Sequence, residues 1–158
     1  MNLKDYFEST WDARARLLDA CSSLTREEWT REFPFSWKTI QRLFGHIIEV
    51  ERSWMLEDIE QSAYSWGGDD ALERLYGTVD LTRATSREVQ AIARRILDAY
   101  VPGRLGETRT GKDAQGNPAT FTVEQILTHV FTHELRHQGQ LQAMLRLLGK
   151  AAPNADWI

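Results

Sequence analysis

The chain has 158 residues, one cysteine, a formal net charge of -4 at pH 7 and a pI near 5.6. A domain of that length buries roughly 70% of the surface its unfolded chain exposes, so residues 1–158 read as one domain that needs no disulfide. The acidic balance excludes nucleic acid as a default partner, because phosphate binding needs a basic face that Arg94 and Arg95 alone do not make.

The opening MNLKDYFEST has neither a basic segment nor an apolar one of the signal-peptide kind. No later apolar run reaches the roughly 18 to 20 residues that span a bilayer. Cys21 has no partner with which to form an internal bridge, which fits a reducing compartment. The expectation is a soluble, cytoplasmic protein with no membrane partner.

In chain order, residues 2–24 place Leu3, Phe7, Trp11, Ala15, Leu18 and Cys21 at steps of three and four, the stripe of a first helix with Cys21 as a buried structural thiol. Thr25-Arg26-Glu27-Glu28 has the form of a capping box and opens a short turn before Pro34. Ser36 reads as the cap of a second long helix, whose stripe of Ile40, Leu43, Phe44, Ile47, Trp54 and Met55 runs to about Asp58 or Glu60. Gln61 to Asp80 is a long connection with a helical turn or two around Leu72 to Tyr76.

A third long helix spans Leu81 to Tyr100, with Val89, Ile92, Ile96 and Tyr100 inward and Pro102-Gly103 as its stop. Leu105 to Thr120 is polar and turn-rich, and its flanks can pair as a small hairpin across Gly116-Asn117-Pro118. Thr122-Val123-Glu124-Gln125 is a second capping box, opening a last helix that runs to Leu148 and stops at Gly149, with Pro153 beyond. Four long amphipathic helices and little strand predict an all-α fold, a four-helix bundle.

Three of the four histidines stand in THVFTHELRHQGQL, residues 128–141, where HELRH reads as H-E-x-x-H. At about 100° per residue, with His133 at zero, the apolar stripe of this helix centres near +50°, His137 falls at about +40° and His129 at about -40°. His137 is aimed at the core and His133 lies beside it. Imidazoles at i and i+4 are about 6 Å apart along the axis and can share an ion; His129 and His137, about 12 Å apart, cannot. His129 reads as a partly buried histidine with a hydrogen-bond partner.

A catalytic zinc usually takes three protein ligands, and the remaining histidine is His46, at the edge of the second helix's stripe. Glu51 falls within that stripe. A buried carboxylate needs a partner, either a liganding histidine or an arginine. Glu134, at about +100°, is within reach of an ion on the pair and fits either a catalytic base or a solvated helix-face residue. Among the six tryptophans, which serve the core and also suit pocket walls, Trp54 is the candidate pocket residue.

A zinc protease of the H-E-x-x-H kind takes a third ligand downstream, and here Gln140 and Ala143 stand where Gly and His are expected. No glutamate follows Glu134, Asp156 is a poor substitute, and no edge strand presents itself for a peptide substrate. The protease reading is therefore disfavoured.

The helix HVFTHELRHQGQLQAMLRLLG, followed by PNADWI, and the helix LFGHIIEVERSW together resemble the DinB-like family of bacterial four-helix-bundle metalloproteins. The resemblance spans nearly the whole chain. It implies an up-down-down-up bundle with a divalent metal, zinc or nickel, held by His46, His133 and His137. It places His129 outside the metal's ligands and Gln140 as a polar residue following the last one. Relatives in this broad group include metal-dependent transferases using low-molecular-weight thiols such as bacillithiol or mycothiol. The resemblance thus implies a small-molecule substrate and a metal-dependent thiol transferase or hydrolase; a non-catalytic bundle that uses the ion for stability or sensing is the contrasting reading.

Phe131, Leu135 and Gly139 form a line on the far side of the last helix, which predicts a subunit contact and a homodimer.

Overall fold

The first helix, α1 (Leu3–Cys21), starts where the Asn2 side chain accepts hydrogen bonds from the backbone of Lys4 and Asp5, while Asp5 accepts from the Asn2 backbone. The computed structural model describes residues 2–101, 103–113 and 115–154. Asp156, the end of the PNADWI tail and Pro102 lie outside them.

The Thr25 capping box forms as predicted and opens α2 (Arg26–Thr30), whose Trp29 is buried, stacked on Phe44 at 5.7 Å and bonded through Nε1 to the Tyr76 carbonyl at 3.0 Å. The next cap is not Ser36. Ser36 and Lys38 have φ of 53° and 65°, and the Phe33 amide bonds to the Lys38 carbonyl, so the chain makes one more reversal before Thr39 caps α3 (Ile40–Ser53). The helical path then widens into a π turn over Trp54–Ile59, ending close to the expected Glu60.

The long connection holds more helix than its pattern suggested. In α4 (Gly68–Tyr76), Ala71, Leu72 and Tyr76 are buried, and the helix sits so close to α3 that a Cβ on Gly45 would stand 3.1 Å from Leu72 and 3.2 Å from Tyr76. Next, α5 (Val79–Tyr100) starts two residues before the predicted Leu81, because the Thr78 hydroxyl caps the Leu81 amide. The hairpin is real: β1 (Thr108–Lys112) pairs antiparallel with β2 (Pro118–Thr122), in register Thr108 to Thr122. Its turn is held by Asp113, whose carboxylate accepts from the amides of Gln115 and Asn117. The second capping box opens α6 (Val123–Leu147), and Gly149 follows at φ 70°.

The architecture is mostly helical with one two-stranded sheet. The four long helices form the core: α1 packs on α5 and α6, and so does α3. The short helices α2 and α4 are additions the four-helix expectation lacked. Among the described residues, no helix is long and apolar enough to cross a membrane.

Besides a small apolar cluster of Ile48, Leu72, Tyr76 and Val89, two larger ones fill the interior, and they lie at different levels. One contains Phe7, Trp11, Met55, Ile59, Ile96, Val123, Ile126 and Val130; the other contains Leu17, Leu18, Cys21, Phe44, Ile47, Leu141 and Met144. Each fully buried side chain of this size contributes about 1.5–3 kcal/mol. Between the two levels α1 contributes Arg14, α3 contributes Glu51, and α6 contributes His133, Glu134, His137 and Gln138, all buried. A polar layer therefore crosses the middle of the core. Cys21 is fully buried, as expected, and burial pushes its thiol up to about 12.

Of the outward line on α6, Gly139 is exposed and Leu135 half-buried, while Phe131 meets α1. Phe131 is half-buried against α1, its ring 5.2 Å from Tyr6 and 6.5 Å from Phe7. Phe131 packs against the apolar cluster of Phe7 and Val130 and so adds to the core rather than to an exposed stripe.

Candidate metal centre

Because α6 starts at Thr122 and runs without a break, His133 and His137 stand one turn apart on its buried face, 7% and 5% exposed. His46 approaches from α3, half-buried. The His133 Nε2 lies 2.9 Å from the His46 Nε2 and 3.1 Å from the His137 Nε2. The ligand atoms of all three fall within 4.8 Å of one another. Ligands about 2.0–2.1 Å from a tetrahedral ion are about 3.3 Å apart, a spacing close to the two contacts that His133 makes. Three neutral nitrogen donors converging in a mostly buried place fit a borderline-soft divalent ion, and the cluster is compatible with metal binding.

Neighbouring groups fix how the rings point. The His137 Nδ1–H donates to Gln140 Oε1 at 2.5 Å, leaving the Nε2 lone pair free to face the cluster. That Gln140 oxygen also accepts from the Ser36 hydroxyl at 2.7 Å, which is the use the chain makes of Ser36 in place of a cap. Trp37 stacks on the His46 ring at 4.0 Å. His129 stands apart, its ring 6.0 Å from His133 and 5.0 Å from Trp54; it is exposed and, among the described residues, no hydrogen bond holds its ring, so the partly buried, hydrogen-bonded histidine that was expected is not what the fold makes of it.

Burial lowers the histidines' proton affinity, most for His133 (about 3) and His46 (about 4), with His137 lowered as well; the charges of neighbouring histidines and of Arg136 add to it. Proton competition for these nitrogens is correspondingly weak at neutral pH. The unfolded chain takes up protons on these histidines near the ordinary value of about 6.5, and the folded chain does so only lower. Metal-free protein therefore loses stability as the pH falls from about 6.5 toward 4. Urea midpoints measured across that range should drop, and His133→Ala should flatten the slope; an unchanged slope would sink this account.

Glu51 and Glu134 take neither of the roles open to them near a metal. Both are buried, and both pair with Arg14: its Nη2 lies 2.6 Å from Glu51 Oε2 and also reaches Glu134 Oε2, while Nε lies 3.0 Å from Glu134 Oε1. Glu51 also accepts from Trp11 Nε1 at 2.8 Å, and Glu134 from Gln138 Nε2 at 2.7 Å. Of the two partners foreseen for Glu51, the arginine is the one present; no histidine bonds to it among the described residues. Glu134 is neither solvated nor free to act as a base. Its commitment to Arg14 also removes the general base that an H-E-x-x-H protease requires.

A cleft of about 640 Å³ opens beside His46, walled by Trp37, Trp54, Tyr64 and Trp66, with Glu49 and Arg42 among its polar groups. The Glu49 carboxylate accepts from the hydroxyls of both Tyr64 and Tyr76, which holds the connection before α4 against α3. A second cleft of about 450 Å³ lies under the hairpin, between Lys112, Phe121, Gln125 and His129. Trp54, the expected pocket residue, lines both. The π turn at its position begins this wall.

Sequence reasoning missed Arg14, Trp37 and Arg136. For Arg14 a signal existed: it stands three residues after Trp11 and four before Leu18, inside the stripe, as Glu51 does on α3. For Trp37 none did, since it sits in the irregular reversal before Thr39.

Comparison with known proteins agrees with the fold. The chain is 27% identical over 158 residues to the uncharacterized protein YizA of Bacillus subtilis strain 168, covering 97% of this chain and 92% of YizA. It is 24% identical over 160 residues to Protein DinB of the same organism, covering 98% and 90%. In fold it is similar to a DinB-like protein from Bacillus cereus ATCC 10987 solved by crystallography, with a TM-score of 0.71, 19% identity, and 96% and 94% of the two chains covered. The profile of the DinB family matches residues 1–158, and the chain belongs to that family.

Proposed function

We propose that this chain holds a divalent ion, zinc or nickel, on His46, His133 and His137, and that it is a metal-dependent enzyme acting on small molecules, a low-molecular-weight thiol transferase or a hydrolase. The observation that carries this is the convergence of three Nε2 atoms with no fourth His, Cys, Asp or Glu in the group among the described residues. Three neutral ligands and an open position are the pattern of a catalytic site; a closed shell of four is that of a structural one. When bound, the ion would lower the pKa of a thiol or water and so supply a nucleophile at neutral pH.

The protein's own part is to place and to enclose. Gln140 holds His137 in the liganding tautomer, Trp37 covers His46, and the two clefts sharing Trp54 offer room for two substrates, as a transfer reaction needs. The single buried thiol suits a reducing compartment, where small thiols are abundant. We also read α1, α3, α5 and α6 as an up-down-down-up bundle, supported by α1 and α3 each packing on both α5 and α6, with α4 in the crossover.

The test is conjugation of bacillithiol or mycothiol to 1-chloro-2,4-dinitrobenzene, followed by mass spectrometry. Zinc- or nickel-loaded protein should form the S-conjugate faster than buffer alone, and chelator-stripped protein should not. Equal rates in all three with either thiol would remove the transferase reading.

A further inference from the structure

The exposed Arg136 sits where a cation is least expected. Its Nη2 stands 3.4 Å from the Nε2 of His137, on the side of the ring that faces the cluster. The guanidinium thus meets the ring atom that His137 turns toward His133, whose own Nε2 is 3.1 Å away. A positive group directed at a cation site is repelled by any ion bound there unless something negative lies between them.

No such group is supplied by the described part of the chain. On α6 its neighbours one turn away are Thr132, His133, Gly139 and Gln140, none of them acidic. Among the described residues no carboxylate lies within ion-pair distance of Arg136. Some surface arginines reach a carboxylate, as Arg26 does Glu73, Arg42 Asp69, Arg94 Glu8 and Arg95 Glu60, and others such as Arg16 and Arg31 pair with none among the described residues; what distinguishes Arg136 is that its guanidinium meets a cluster histidine. Arg136 is turned instead toward the His137 imidazole, which offers no negative charge.

We propose that Arg136 is a specificity-determining residue of this site: the position that His46, His133 and His137 leave open takes an anionic donor, a thiolate or a carboxylate, and Arg136 pairs with it. This rests on the three-histidine metal reading above. A planar guanidinium offers two parallel N–H donors to an anion and stays charged at every working pH, which a lysine in the same place would do less specifically. With the ion on one side and Arg136 on the other, the anion is held by two positive charges. A neutral donor would leave their repulsion uncompensated. The pairing thus selects against neutral ligands as well as for anionic ones.

Cobalt(II)-loaded protein reports both halves of the idea by its visible absorption. Wild type, Arg136→Gln and Arg136→Lys are each loaded with cobalt, then titrated with 2-mercaptoethanol, which offers a thiolate, and separately with acetate, which offers a carboxylate. Arg136→Gln should bind cobalt at least as tightly as wild type, because a repulsive charge is gone, yet bind at least one of the two probes about tenfold more weakly, with Arg136→Lys in between. The probe that weakens identifies the donor. Cobalt bands with equal probe affinities in all three proteins would overturn the role of Arg136 while leaving the metal site standing. Absence of any cobalt absorption in the wild type would overturn both.

Discussion

The ion proposed for the three histidines will be absent from purified His133→Ala protein and present in His129→Ala protein. The reason is the central place of His133: its Nε2 is 2.9 Å from His46 and 3.1 Å from His137, so it is the nitrogen that joins the α3 donor to the α6 donor. Its loss leaves one imidazole on each helix, too few to hold an ion against solvent. His129 lies against Trp54 with its ring 6.0 Å from His133, and its removal takes no nitrogen from the cluster. Gln140→Leu should fall between them, because it frees His137 to turn or to place its proton on Nε2; lost support of this kind costs about 10–100-fold in metal affinity. Elemental analysis of the three purified proteins beside wild type decides the order. Thermal melting gives a second reading, since an ion at 100 times its Kd stabilises by about 2.7 kcal/mol and that increment should vanish only in His133→Ala. Equal metal loss in His133→Ala and His129→Ala would overturn the ligand assignment.

Much of this site was legible because α6 is long and regular. An uninterrupted helix carries its phase from the capping box at Thr122 to Gly149, so a count of 100° per residue placed His137 and His133 toward the core and His129 on the flank. His46 was the one histidine left for a third ligand, and the resemblance of LFGHIIEVERSW to a known helix strengthened a case that its edge position alone left weak. What escaped was set by irregular backbone. The positive φ at Ser36 and Lys38 moved the α3 cap to Thr39 and brought Trp37 over His46, and no periodic pattern encodes such a reversal. Glu134 was misjudged for a different reason. Its angle was right, but a carboxylate at that angle is read as solvated unless an inward arginine is found for it, and an arginine in an apolar stripe reads as an interruption. Two mismatches on separate helices, Arg14 and Glu51, explain each other only when α1 and α3 are known to be on either side of one layer. Phe131 shows the same limit, since its outward angle on α6 says nothing of Tyr6 and Phe7 on α1.

Arg14→Met is expected to cost about 3–5 kcal/mol of folding stability, among the largest effects of any single change in the core. The replacement packs well but leaves Glu51 and Glu134 buried without their shared cation, and that uncompensated charge is what destabilises. Even beside Arg14, burial holds the Glu51 carboxyl above the usual range, ahead of the opposing pull of the guanidinium. A carboxyl whose folded value is raised favours folding below its unfolded value of about 4.3 and loses that contribution as the pH rises through the folded one. The deficit of Arg14→Met relative to wild type should therefore be smaller at pH 4.5 than at pH 8; the histidine contribution, common to both proteins, cancels in the difference. Urea denaturation at the two pH values measures it, and a pH-independent deficit would assign the loss to packing. Replacing the whole set, Arg14→Met with Glu51→Leu and Glu134→Leu, should restore most of the stability, because an apolar layer needs no compensation. The layer's charge has a second consequence. One arginine and two carboxylates leave an excess of negative charge below the histidines, and the Glu134 charge already favours a positive His137. The same field favours a bound cation. The triple variant should thus fold well and bind zinc about tenfold more weakly than wild type, measured by competition with a chromophoric chelator. Wild-type zinc affinity in a stable triple variant would show that the buried ion pairs serve only the bundle; weakened affinity ties the polar layer of the core to the metal it supports.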